Sequence, residues 1–237
     1  MLNEDFKYMV ETAIGAPAGA KPLSLEQLAY AERHLPASYV EFLKAFGYGH
    51  YFRHGVQLLD PQKLCSILSL IFKADPDFDH NDCHVVSYSA FGMLQLWSER
   101  HWLVQINLLQ YQVFCSKLFA TEFNLPPGVA SMPKREVTAD TMAVNLLPRD
   151  EKKREMWDID QEPMFMRCLK AHGELEDGEC YGFEPSLGLV GYESHFRTVE
   201  NTKRVEALEH FAIIAQMQPF RLTRMGQGGY EYLREIG

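Results

Sequence analysis

Residues 85–115, VVSYSAFGMLQLWSERHWLVQINLLQYQVFC, decide the fold class. Four short runs, at 85–89, 94–97, 102–106 and 112–115, are rich in β-branched and aromatic residues. Turn-forming residues separate them, which predicts an antiparallel meander. The chain on either side carries helical periods, so the expected class is α+β.

Upstream, Phe6, Met9, Val10 and Ala13 fall at helical spacing and predict a helix over 3–14. The run Gly15-Ala-Pro17-Ala-Gly19 breaks it. Ser24 can cap a second helix to about His34, with Gln27 completing a capping box. Pro36 restarts a third, in which Tyr39, Phe42, Leu43 and Phe46 line one face; Gly47 and Gly49 end it. A hairpin is expected over 51–59, turning at Gly55, and Asp60-Pro61 forms an N-cap and first position for a helix over 62–72.

Downstream, Pro126, Pro127, Gly128, Pro133 and Pro148 mark residues 123–155 as a linker or long connection. A helix follows over 161–172, with Phe165, Cys168 and Leu169 inward and Gly173 as its stop. Strands are expected at 180–183 and 187–190. A helix over 203–216 would bury Val205, Leu208, Ala212 and Ile213. Gly226-Gln-Gly228-Gly229 reads as a flexible tail. The expected organisation is 1–122, a connection over 123–155, and a smaller α+β part over 156–237. That last part either packs beside the meander or shares its sheet and core.

The 237 residues carry a formal charge of −9, and 156–237 alone hold 14 acidic and 8 basic side chains. From Glu174 to Phe196 there are six acids and no Lys or Arg. Such a surface repels phosphate backbones, which disfavours direct nucleic-acid binding and favours a basic partner. The amphipathic N-terminus is not expected to be a signal peptide. No apolar run approaches the roughly 18 residues of a membrane span. Five scattered cysteines, an odd number, fit reduced thiols and a cytoplasmic location.

Linear catalytic motifs give no purchase. GxSxG, GxxxxGK[ST], GxGxxG, CxxC and HExxH are all absent. Asp75, Asp77 and Asp79 begin like a calcium loop, but His80 stands where Gly is needed and Val86 where Glu is needed. His80, Cys83 and His84 are close in sequence, with His50, His54 and His101 as unsupported partners for zinc. No metal, cofactor or catalytic residue is therefore expected.

Two sets of residues carry a resemblance. Residues 6–60 resemble a GAD-like domain through Gly15-Ala-Pro17, Leu35-Pro36-x-x-Tyr39-x-x-Phe42-Leu43-x-x-Phe46-Gly47-x-Gly49, Gly55 and Asp60-Pro61. Ser89-Ala-Phe91-Gly92-Met-Leu94-x-Leu96-Trp97 continues the pattern. Residues 160–217 resemble the C-terminal domain found beside it. The matching pieces are Phe165-x-x-Cys168-x-x-x-His172-Gly173-x-Leu175, Tyr181-Gly182-Phe183-x-Pro185, Leu187-Gly188-Leu189-Val190-Gly191 and Ile213-Ile214-Ala215-Gln216. Chains with this pair resemble the immunity proteins of type VI secretion DNase effectors. The resemblance implies a bacterial cytoplasmic protein that binds a cognate toxin; it supplies no catalytic residues.

A nuclease displays basic groups around its DNA site, so its inhibitor gains from acidic and aromatic contacts. Glu174, Glu176, Asp177, Glu179, Glu184 and Glu193, with Tyr181 and Tyr192, fit that description. Asp75, Asp77, Asp79 and Asp82 form a second candidate patch. The bland reading of both is a solvated acidic surface, with Tyr181 in the core. Two other functional classes stay open: a scaffolding or regulatory module for an endogenous partner, and an enzyme without a linear signature.

Overall fold

The computed structural model describes residues 2–119, 137–149, 155–226 and 229–237. The N-terminal region opens with α1 (Glu4–Tyr8), continued by a π-helical turn over Met9–Ala13, and β1 (Ala18–Lys21). α2 (Leu25–His34) and α3 (Ala37–Phe46) follow. The Ser24–Gln27 capping box forms in both directions, at 3.2 and 2.9 Å. Gly47 is required after α3: its φ is +77°, and a Cβ there would lie 2.1 Å from the Lys21 carbonyl oxygen. That close approach lets β1 pair with β2 (Tyr48–Tyr51), a pairing the Gly/Pro-rich sequence concealed.

β3 (Val56–Leu58) completes the expected hairpin, and a 3₁₀ turn at Pro61–Leu64 leads into α4 (Cys65–Phe72). The meander is β4 (Cys83–Ser89), β5 (Met93–Ser98), β6 (Trp102–Asn107) and β7 (Gln112–Phe114), paired antiparallel in sequence order. Val85 and Val86 adjoin in β4 yet belong to different hydrophobic clusters. Side chains alternate along a strand, so the sheet separates two cores. α1, α2 and α3 cover one face through Phe6, Ala31, Tyr39 and Phe42. α4 covers the other with Ile67, Leu68, Ile71 and Phe72.

The described part of the expected connection is structured. α5 (Ala139–Ala143), capped by Thr138, and the turn after it bury Ala143, Leu146 and Leu147 against the N-terminal helices. The remainder of 123–155, apart from Glu155, lies outside the described residues. Glu155 accepts backbone N–H bonds from Met164 and Phe165, at 3.1 and 2.8 Å. It thereby caps α6 (Phe165–His172), which starts four residues later than periodicity indicated. Phe165, Cys168 and Leu169 form its buried face, as expected.

Three C-terminal expectations are corrected. β8 (Glu179–Phe183) is a strand, but 187–190 is not: α7 (Leu187–Val190) is a single turn capped by Ser186. Four apolar residues do not distinguish a strand from a turn of helix. The stretch 202–206 is β9 (Thr202–Glu206), paired antiparallel with β8, and α8 (Ala207–Ile214) begins only after it. α8 buries Ala207, Phe211 and Ile214, leaving Leu208 and Ile213 exposed. Gly226 and Gly229 of the expected tail lie instead in two paired strands, β10 (Arg221–Gly226) and β11 (Gly229–Glu235), residues 227–228 lying outside the described residues. β10 pairs in parallel with β7, so the main sheet runs β1-β2-β3-β4-β5-β6-β7-β10-β11. One core extends from Leu59 to Ile236 and joins both halves. Among the described residues no helix is long and apolar enough to cross a membrane.

Candidate functional site

The acidic stretch after α6 forms a ridge whose charges are answered by distant bases. Glu174 lies 3.7 Å from Arg53, Asp177 2.5 Å from Lys21, and Glu179 2.6 Å from Arg204. Glu176 shares Arg204 at 3.3 Å, Glu184 pairs with Lys203 at 2.5 Å, and Glu193 with Arg197 at 3.2 Å. Every one of the six carboxylates therefore has a cation within reach. Five bases, Lys21, Arg53, Arg197, Lys203 and Arg204, thus offset six acids locally, so the ridge carries less net charge than the run 174–196 by itself implies, while the chain as a whole remains at −9. Five of the six are exposed, Glu179 being the half-buried one, and Glu176, Glu193 and Glu184 project furthest, with side chains 81%, 79% and 68% exposed. Exposed pairs of this kind contribute about 0–1 kcal/mol, so an incoming cation can exchange with the internal one.

The two aromatic residues of this expectation sit deeper than the acids. Tyr181 is 1% exposed and donates its hydroxyl to the Gly173 carbonyl at 2.7 Å; burial pushes its phenol up to about 12. Tyr192 is half-buried, with Arg197 stacked 4.3 Å from its ring centre. Period-two alternation in β8 turns Tyr181 and Phe183 inward, against Phe91.

The second patch is also dispersed. Asp75 is buried and accepts both arms of Arg234, at 2.5 and 2.9 Å, while Asp77 takes the same guanidinium at 2.6 Å. Arg234 lies on β11, so this pair ties the C-terminal hairpin to the loop after α4. Asp79 is exposed and caps its own turn through Asn81, at 2.9 Å. Asp82, half-buried, accepts from the Cys83 thiol at 3.1 Å and lies 3.9 Å from Arg100. No shared acidic face results from these four.

Two features escaped the sequence reading. A groove of about 720 Å³ runs across the sheet between α5 and the C-terminal hairpin, lined by Gln95, Gln105, Phe114, Met142, Thr223 and Tyr230. Met225 and Tyr230 of its wall are exposed, as is Tyr232 on the same strand as Tyr230. Assigning 226–229 to a tail hid this groove, because its wall exists only when β10 pairs with β7.

The other is a cluster of histidines with Tyr30 and Glu99. Tyr30 and His34 lie on α2, His84 on β4, and Glu99 in the turn between β5 and β6. One Glu99 carboxylate oxygen meets His34 Nδ1 at 2.7 Å and His84 Nε2 at 3.1 Å. The Tyr30 hydroxyl is 3.0 Å from His84 Nδ1. Burial lowers the pKa of His84, whereas burial opposes but the two imidazoles outweigh it in lowering that of Glu99. His80 and Cys83, its neighbours in sequence, do not join the group. Its members are too far apart along the chain for a linear motif.

The cysteines are poorly placed for nucleophilic work. Cys83, Cys115, Cys168 and Cys180 are buried, and burial raises each thiol, Cys168 to about 11. A reactive cysteine needs the opposite shift. Cys65 is half-buried.

Comparison with known proteins agrees with this architecture. Among solved structures, the chain is similar to the crystal structure of Atu4351 from Agrobacterium tumefaciens. It matches with a TM-score of 0.80 at 26% identity, over 99% of this chain and 97% of that one. No curated protein matches. Residues 4–110 match the GAD-like domain and residues 143–218 match "T6SS immunity protein Tdi1, C-terminal". The chain thus matches, in order along one continuous fold, the GAD-like domain model and the model of the T6SS immunity protein Tdi1 C-terminal domain.

Proposed function

We propose that this protein is an immunity protein that binds a cognate type VI secretion DNase toxin and blocks it stoichiometrically, without turnover. The observation that carries this reading is the match of residues 143–218 to the Tdi1 C-terminal family, preceded by the GAD-like match. Their strands contribute to a common core, which favours a rigid binding body over two tethered modules. Such a protein works in the cytoplasm of the cell it protects, where reduced thiols are stable.

The toxin-facing surface in this proposal is the exposed part of the acidic ridge: Glu176, Glu184 and Glu193, flanked by Glu174 and Asp177. Basic groups of a nuclease would replace Arg204, Lys203 and Arg197 as partners. Because the ridge is nearly charge-balanced within the chain, its contribution is orientation and short-range pairing more than long-range steering. The groove beside β10 and β11 is the competing surface; exposed tyrosines and methionine are residues that interfaces favour.

The test is co-expression with the toxin reading frame that neighbours the gene. A 1:1 complex that no longer cleaves DNA is the expected result. Recovery of the chain alone, with cleavage undiminished, would sink the proposal and return the scaffold and enzyme alternatives to the front.

A further inference from the structure

We infer that Glu99, His34 and His84 form a binding site for a divalent transition-metal ion of the zinc class, which fastens α2 to the sheet. The three candidate ligand atoms come from a helix, a strand and a turn, and all lie within 4.8 Å of one another. Around an ion with bonds of about 2.0–2.2 Å, adjacent ligand atoms sit about 3–3.5 Å apart. The Glu99 oxygen already stands 2.7 and 3.1 Å from the two ring nitrogens. Small side-chain adjustments therefore suffice to admit an ion between them.

The donor set selects the metal. Two imidazoles and one carboxylate suit zinc and its transition-metal neighbours, whereas magnesium and calcium take oxygen donors. Glu99 is 45% exposed, so solvent supplies the remaining coordination position. His84, by contrast, is almost wholly buried and packs against the adjacent rings of Tyr30 and His34.

Tyr30 supplies the supporting contact that ligating histidines characteristically have. Without metal, ionised Glu99 accepts only, so His84 carries its proton on Nε2 and receives the Tyr30 hydroxyl at Nδ1. With metal on Nε2, the proton moves to Nδ1 and is donated to the Tyr30 oxygen. His34 makes the corresponding change, ligating through Nδ1 with its proton on Nε2.

The experiment uses the full-length chain, stripped with chelator, titrated with Zn²⁺ by calorimetry and with Co²⁺ by visible absorption. Expected are one saturable Zn²⁺ equivalent, Co²⁺ ligand-field bands displaced by Zn²⁺, and a raised unfolding temperature. Mg²⁺ should give none of these. His34→Ala and Glu99→Gln, both at accessible positions, should each weaken Zn²⁺ binding at least 100-fold, and Tyr30→Phe about 10-fold. His80→Ala, which removes a histidine outside the cluster, should leave affinity unchanged. Absence of saturable uptake, or uptake equal in wild type and a folded His34→Ala/Glu99→Gln double variant, overturns the assignment. Toxin binding plays no part in this readout, so the inference stands or falls separately from the proposed function.

Discussion

Gln57 of β3 and Gly178, 121 residues later, share a hydrogen bond of 2.9 Å in which the Gly178 N–H donates to the Gln57 amide oxygen. The same oxygen accepts from Tyr88 at 2.9 Å. The amide nitrogen donates to the carbonyls of Glu179 and Glu176, at 2.9 and 3.3 Å. Gln57 thus uses all its bonding capacity, buried, to hold the acidic ridge against the N-terminal hairpin. Replacing it with Leu should strand the Gly178 N–H and the Tyr88 hydroxyl in the interior. The expected loss is about 3 kcal/mol, read from urea unfolding. A loss below about 0.5 kcal/mol would mean that water replaces the amide without penalty.

Asp75 and Arg234 should give the protein an acid-sensitive component of stability. Burial works against ionisation of Asp75, but Arg234 and the N–H groups of Asp77 and Gly237 prevail and hold its pKa below the ordinary value. A lowered carboxyl pKa contributes stability above the unfolded value of about 3.9, and that contribution disappears as pH falls through the folded value. Asp75→Asn should destabilise the protein at pH 7 by about 2 kcal/mol, less than a fully buried pair because Arg234 is partly solvated. It should also flatten the acid limb of stability against pH. Parallel wild-type and variant curves would show that other carboxylates set that limb.

Charge reversal on the ridge separates the two candidate toxin surfaces. Glu176→Lys, Glu184→Lys and Glu193→Lys together should slow association with the toxin several-fold and raise its dissociation rate. Increasing salt should narrow the difference from wild type. An unchanged rate at low salt would transfer the interface to the groove, where Tyr230→Ala becomes the decisive variant.

Thiol chemistry should report the packing of the cysteines. Cys65 is the half-buried one of the five, so a water-soluble disulfide reagent should modify one equivalent quickly in the native protein. The other four should react only on unfolding, being buried with raised thiol pKa values. Rapid release of more than one equivalent would show that α6 or the strands open more readily than their burial indicates.

Much of the architecture was legible because it depends on neighbours in sequence. The Ser24 capping box, the apolar faces of α3 and α6, and the four meander strands follow from periodicity and local hydrogen bonding. β9 and β10 were not legible. Thr202–Glu206 is a strand because β8 lies beside it, and Arg221–Gly226 because β7 offers a free edge. Their own alternation is weak, so the partner decides.

The candidate sites divide in the same way. Sequence by itself determined the α+β class, the acidic residues of the ridge and the order of the two family patterns. Only the tertiary structure decided that Lys21, Arg53, Arg197, Lys203 and Arg204 answer those acids, that Tyr181 is core, and that His34, His84 and Glu99 meet. Charge and side-chain type are properties of the chain, whereas pairing, burial and convergence are distances, and those arise only when remote segments pack on the two faces of one sheet.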